Sequence, residues 1–258
     1  MTRKGLEMLR VPWQGKMRNV LDESLTSDGD KKFLVELDFG LRAWLPQSLV
    51  GKDFFSRRAS SSSILVRENF YSDPEAVRQF ALEQSYEDDL RYFKGLRSTN
   101  RCLWPHLREE FEDMLGAKIT DWLDQPANGV FQKTCSSDPI VWHADHQNYA
   151  AAIYLTPGAP PSAGTSFWRD RQNKCRRPPE HELEAERFDA GSAPASSEIF
   201  AREKILSPDF WELVDSVGSI FNRLVIWDAQ MIHSATSYAD FDGVNPRLVQ
   251  LFFFNVKK

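Results

Sequence analysis

The chain has 258 residues, of which 41% are hydrophobic and 27% charged, and a formal net charge of −5. That size suits one large domain or two small ones, and the composition excludes a disordered, collagen-like or coiled-coil chain. The acidic balance gives no general reason to bind nucleic acid, and no apolar run reaches the length of a membrane span.

Three cysteines, Cys102, Cys135 and Cys175, stand far apart. Their odd number and wide spacing argue against a disulfide framework and against a structural zinc site. The basic start of the chain, Arg3 and Lys4, is followed by no apolar stretch, so no secretory signal is expected and a cytoplasmic setting is the default.

Residues 1–60 read as an extension of unclear structure that packs on the core, with a strand over 33–37. The serine run at 60–63 reads as a loop, followed by a strand over 62–66 that reaches a turn near Tyr71. A helix is expected to begin at Ser72, whose side chain would cap it. Pro74 then lies in the first turn and Glu75 completes a capping box. Val77, Phe80 and Ala81 follow at helical spacing. Residues 108–115 read as a second helix with a charged face, and 119–123 and 130–133 as short strands.

From residue 139 the pattern becomes that of strands. Residues 139–143 run towards 150–155, Pro157-Gly158 breaks the run, and 164–168 forms the next strand. The polar segment near 169–195 reads as a surface insertion or lid, with Lys174, Arg176 and Arg177 facing solvent. Residues 208–217 read as a short helix capped by Ser207. Residues 224–227 read as a buried strand and 248–254 as a core strand. The expected architecture is mainly β with flanking helices: the extension 1–60, then a β-rich domain over 61–258.

Three of the five histidines lie beside strands in the C-terminal half. In extended backbone His143 and Asp145 point to the same side, so an imidazole and a carboxylate can meet one cation. His233, beyond the strand 224–227, would complete a two-histidine, one-carboxylate triad of the kind that binds non-haem Fe(II). A solvent-exposed histidine paired with an acid is the plainer alternative. His146 is a competing ligand, better suited to a supporting or pocket-lining place. Arg247 opens the last strand, either exposed at a strand end or turned inward, where a guanidinium suits a carboxylate. Tyr154 could add a hydrogen bond or be a core aromatic. Trp142, Tyr149, Phe167 and Trp168 are candidate pocket aromatics.

The pattern of His143-x-Asp145, Gly164-Thr165, residues 222–228, His233 and then Arg247 before an apolar strand resembles the Fe(II)/2-oxoglutarate-dependent dioxygenase superfamily. Its prolyl-hydroxylase and phytanoyl-CoA-hydroxylase side is the nearest in pattern. The resemblance covers 139–254, and 62–85 more loosely. It implies a double-stranded β-helix, the jelly roll of cupin-like proteins. It also implies iron held by His143, Asp145 and His233, and 2-oxoglutarate held by Arg247 with Tyr154 and Thr165. The implied reaction hydroxylates a C–H bond of a small molecule, amino acid or peptide. Asp145 favours hydroxylation, because halogenating relatives carry a small residue there. Val249 stands where many relatives have Ser or Thr. The alternatives are another cupin-type metalloenzyme that does not use 2-oxoglutarate, and a non-catalytic jelly-roll binding protein.

Overall fold

A computed structural model of the chain describes residues 10–13, 16–36, 42–50, 63–88, 95–179 and 199–257. The chain divides into two compact units, Met1–Ser61 and Ser62–Lys258. Among the described residues no helix is long and apolar enough to cross a membrane.

The first unit is an antiparallel meander of β1 (Arg10–Trp13), β2 (Lys16–Leu25), β3 (Lys31–Glu36) and β4 (Arg42–Pro46). Alternation places Phe33 and Val35 of β3 on one face, where they pack with Val11, Val20 and Leu45.

The second unit is mainly β with few helices. A seven-stranded antiparallel sheet takes the order β5-β12-β9-β14-β8-β7-β6. Its strands are β5 (Ile64–Arg67), β6 (Tyr86–Asp88), β7 (Leu96–Ser98), β8 (Val130–Thr134), β9 (Tyr149–Tyr154), β12 (Leu224–Asp228) and β14 (Arg247–Phe254). A three-stranded sheet joins β10 (Thr165–Asp170), β11 (Trp211–Val217) and β13 (His233–Ala235) in the order β11-β10-β13. Among the described residues the helices are α1 (Pro74–Leu82), α2 (Leu107–Leu115) and the single turn α3 (Arg202–Ile205).

The two faces of β14 explain the architecture. Leu248, Phe252 and Phe254 pack into the larger core with Phe111 of α2 and with Trp122, which stacks on Phe252 at 5.8 Å. Gln250 on the same face is fully buried, and its amide joins Tyr71 Oη to the carbonyl of Cys102. Arg247, Val249, Leu251 and Phe253 face the other way and line a cavity. On neighbouring β9 the cavity-side positions include Ala150 and Ala152, which pack with Phe167 of β10 and Trp227 of β12. Small residues there keep space open where two sheets would otherwise interdigitate.

Several expectations need correction. The first helix is capped by Asp73 rather than Ser72: its Oδ1 accepts from the Ala76 amide at 3.1 Å, directly before Pro74. Val77 packs on the core and Ala81 is buried, but Phe80 is 42% exposed. Residues 119–123 form no strand. Ile119 makes one bridge to Val256, and the Asp121 side chain instead accepts from Asn255. Residues 139–143 also form no strand; Pro139 donates no backbone hydrogen bond, and only His143 is bridged.

Residues 208–217 are not a helix. Pro208–Phe210 is one 3-10 turn with Ser207 at its cap, and Trp211–Val217 is β11. Leu213 and Val214 fit a helical spacing but stand exposed. The pairing of β11 with β10, reinforced by the paired Arg169–Glu212 contacts at 2.8 Å, overrides that spacing. Of the supposed insertion, residues 169–170 belong to β10. The following segment is tied down by Lys174–Glu212 at 3.1 Å and by Arg177 donating to Asp228. Residues 180–198, His181 among them, lie outside the described residues, as do 60–62 of the serine run.

Candidate metal centre and cavity

His143 and His233 are ninety residues apart in sequence, and backbone pairing joins them. The amide of each donates to the carbonyl of the other, at 3.1 and 2.8 Å. The Asp145 amide donates to Ala229 at 2.8 Å, which fixes the extended exit that turns Asp145 to the same side as His143. The imidazole centroids are 4.2 Å apart.

Both rings are oriented by backbone. Nδ1 of His143 donates to the Val141 carbonyl at 3.0 Å, and Nδ1 of His233 to the Met231 carbonyl at 2.8 Å. A carbonyl only accepts, so each neutral ring carries its proton on Nδ1 and presents the Nε2 lone pair. Asp145 stands between them: Oδ1 lies 3.8 Å from His143 Nε2, and Oδ2 lies 3.3 Å from His233 Nε2. One ligand atom from each residue lies within 4.8 Å of the others. Ions held by such ligands at about 2 Å need a spread of this order. Among the described residues this is the one such group of His, Cys, Asp and Glu. Two neutral nitrogens and one carboxylate suit a divalent transition metal with open positions, and the backbone acceptors behind both rings are the support such ligands need.

The triad opens on a cavity of about 70 Å³, several times the roughly 10–15 Å³ that one water requires. Its wall is mostly apolar, with Trp227, Val249, Leu251 and Phe253. Trp227 meets His233 edge to face at 5.2 Å.

Arg247 lines the same cavity and is only 4% exposed. Its Nε donates to the Ala163 carbonyl at 2.7 Å, and Nη2 approaches the Gly164 carbonyl at 3.4 Å. The rings of Tyr154 and Tyr238 lie 5.5 and 5.7 Å from its Cζ. Among the described residues no carboxylate forms an ion pair with it. Burial pushes both phenols up, against the pull of Arg247, so neither supplies an anion at neutral pH. A buried guanidinium held only by carbonyls and rings is left with donors for an anionic ligand. Thr165 lines the cavity, and its Oγ1 shares a hydrogen bond with Tyr154 Oη at 2.8 Å. Tyr154 itself is buried behind that wall.

The structure thus gathers His143, Asp145, His233, Arg247 and Thr165 around one space, with Tyr154 behind Thr165. His146, on the bend after Asp145, is neither in the triad nor in the wall. The four suggested pocket aromatics lie elsewhere. Trp142 and Trp168 pack edge to face in a separate cluster, Tyr149 belongs to the larger core, and Phe167 packs behind the cavity. The wall aromatics are Trp227, Tyr238 and Phe253. Period-two alternation from Arg247 could have found Leu251 and Phe253. Arg97 and Gln132, also in the wall, carry no local signal.

Comparison with known proteins gives three findings. A model of a family of unknown function, DUF6445, matches residues 55–242. No curated protein sequence matches. Among solved structures, HygX from Streptomyces hygroscopicus with nickel, 2-oxoglutarate and hygromycin B bound is 12% identical, with a TM-score of 0.43. That match covers 75% of this chain and 83% of HygX. HygX with iron bound is 16% identical with a TM-score of 0.40, over 75% and 82%. The Fe(II)/(alpha)ketoglutarate-dependent dioxygenase TqaL is 12% identical with a TM-score of 0.37, over 76% and 84%.

Proposed function

We propose that this chain, which belongs to the DUF6445 family, is an Fe(II)- and 2-oxoglutarate-dependent oxygenase. It hydroxylates a C–H bond of a small molecule, an amino acid or a peptide. Its two sheets are read as the halves of a jelly roll, the double-stranded β-helix. One observation carries the reading: the His143–Asp145–His233 triad faces the same cavity as the buried Arg247. A metal triad alone fits many reactions. Paired with an inward guanidinium, it fits a ligand that binds the metal at one end and presents a carboxylate at the other.

The residues divide the work. His143 and His233 would hold iron through Nε2, while the carbonyls behind Nδ1 align both rings with Nε2 towards the cavity. Asp145 would contribute the one ligand charge, and a triad of this kind would leave positions on the metal for other ligands. Arg247 receives the distal carboxylate of 2-oxoglutarate, and the Ala163 carbonyl fixes its reach. Thr165, held by Tyr154, offers a hydroxyl beside it. Val249, Leu251 and Phe253 keep water from the reacting side. Bound iron and 2-oxoglutarate supply the oxidation, in which dioxygen is consumed, succinate and carbon dioxide leave and one oxygen atom goes to the substrate.

Among the described residues no third histidine joins the triad, so the cupin-type alternative gains no support from His146. The test is stoichiometric Fe(II) binding together with succinate formation from 2-oxoglutarate in air. Wild type is expected to show both. His143→Ala and His233→Ala should lose both. Arg247→Gln should keep iron and lose succinate formation at moderate 2-oxoglutarate. Wild type that binds iron but never forms succinate would refute the reading.

A further inference from the structure

We propose that the indole N–H of Trp227 is a hydrogen-bond donor to the metal-binding end of 2-oxoglutarate; this rests on the oxygenase reading above. Trp227 is only 4% exposed, and its Nε1 is buried with no hydrogen-bond partner. A buried N–H left unpaired is destabilising, and such groups in folded proteins almost always find an acceptor. Two nearby indoles follow the rule. Nε1 of Trp168 donates to Ser234 Oγ at 3.0 Å, and Nε1 of Trp211 to the Lys204 carbonyl at 2.9 Å. Trp227 instead packs among Ala150, Ala152, Phe167, Ala229 and Met231, whose side chains offer no oxygen. Trp142 also has an unpartnered Nε1, but it lies in a separate cluster outside the cavity wall. Trp227 lines the cavity, so the partner within its reach is what the cavity holds.

The sheet register says which end of the ligand that is. Trp227 pairs with Ala150 of β9, and Ala150 with Phe253 of β14. Directly paired residues point to the same face of a sheet, and Trp227 and Phe253 both line the cavity. Arg247 opens β14 and Phe253 stands near its end, so Arg247 and Trp227 lie at opposite ends of the wall. The Trp227 ring meets the His233 ring at 5.2 Å, which makes its end the metal end. A ligand with its distal carboxylate on Arg247 therefore brings its 2-oxo acid group beside Trp227. That group has three oxygens. Chelation uses the 2-oxo oxygen and one carboxylate oxygen, and the other carboxylate oxygen is left as a charged acceptor for the indole N–H. An indole nitrogen only donates, so it favours a ligand that presents oxygen there over one that presents an N–H.

The test is nuclear magnetic resonance of the full chain, isotope-labelled at its indole nitrogens, with diamagnetic Zn(II) as the metal. The chain has eight tryptophans. The indole signal missing from Trp227→Phe, or from Trp227→Tyr should the first variant not fold, belongs to Trp227. That signal is expected to move downfield when 2-oxoglutarate is added after Zn(II). It should stay in place with glutarate, which has the distal carboxylate but no 2-oxo group. In calorimetry Trp227→Phe should bind 2-oxoglutarate about tenfold more weakly, the worth of one hydrogen bond to a charged acceptor, with Zn(II) and glutarate affinities unchanged. Trp227→Tyr, whose hydroxyl can donate, should lose less. The proposal is overturned if 2-oxoglutarate binds wild type and leaves the Trp227 signal in place, as an indole resting on the His233 imidazole or on a trapped water would. It is equally overturned if glutarate moves the signal as far, or if Trp227→Phe binds 2-oxoglutarate like wild type. Failure of the oxygenase reading looks different: calorimetry then shows no 2-oxoglutarate binding to the Zn(II)-loaded wild type, and the proposal falls with it.

Discussion

Gly164 links the close approach of the β11 end to the turn before β10 with the anchor of Arg247, and Gly164→Ala tests that link. A Cβ built on Gly164 would lie 1.9 Å from the Val217 carbonyl oxygen and 2.9 Å from the Ser219 amide. Both obstacles are backbone, so the end of β11 or the turn before β10 must move by about 1 Å or more. The φ of −83° is ordinary, so the penalty is steric. Overpacking of this kind costs about 2 kcal/mol, and in a unit of this size each kcal/mol lowers the Tm by roughly 2–4 °C. The expected loss is therefore roughly 4–8 °C in a thermal melt. The same movement displaces the carbonyls of Ala163 and Gly164 that hold Arg247, so 2-oxoglutarate affinity should fall by about tenfold. Gly158→Ala is the control. That glycine has φ +64° with open space around it, so the variant pays only for backbone conformation and should bind 2-oxoglutarate normally. A Gly164→Ala protein that melts within about 1 °C of wild type would refute the packing argument.

Other substitutions probe neighbouring features. Glu112 is held down to about 2 by Lys118, the Ile119 amide and Arg108. A lowered carboxyl stabilises the fold above the ordinary carboxylate range and loses that contribution as pH falls through the lowered value. Glu112→Gln should therefore cost about 1 kcal/mol in urea midpoints at neutral pH, discounted for the exposed Lys118, and almost nothing near pH 2. Tyr154→Phe and Thr165→Val should each cost about 1–2 kcal/mol by leaving one buried hydroxyl unpaired. The double variant should cost less than their sum, and strict additivity would argue that the 2.8 Å contact carries no coupling. Val249→Ser adds a hydroxyl to the cavity beside Arg247. It should tighten 2-oxoglutarate binding by about threefold to tenfold at some cost in Tm, and unchanged affinity in calorimetry would show that the hydroxyl does not reach the ligand.

Legibility in the sequence followed the range of the interactions. The strands at 224–227 and 248–254 were readable because their burial writes continuous apolar runs, and α2 because its charged face is periodic. The spacing of His143 and Asp145 placed them on one side. Their meeting with His233 depends on paired backbone hydrogen bonds that no local pattern encodes. β11 was misread because an edge strand leaves Leu213 exposed and so mimics a helical stripe. Arg97 and Tyr238 enter the cavity through register and a long connection, which only the folded sheet brings into view.

The most direct test of the central claim is an anaerobic titration of the protein with Fe(II) and then 2-oxoglutarate, followed by visible absorption. A chelated 2-oxo acid on iron gives a metal-to-ligand charge-transfer band, which wild type is expected to develop at one equivalent. His143→Ala and Asp145→Ala should show no band, and Arg247→Gln should need about tenfold or more extra 2-oxoglutarate to reach it. Folded wild-type protein that binds iron and gives no band would contradict the account.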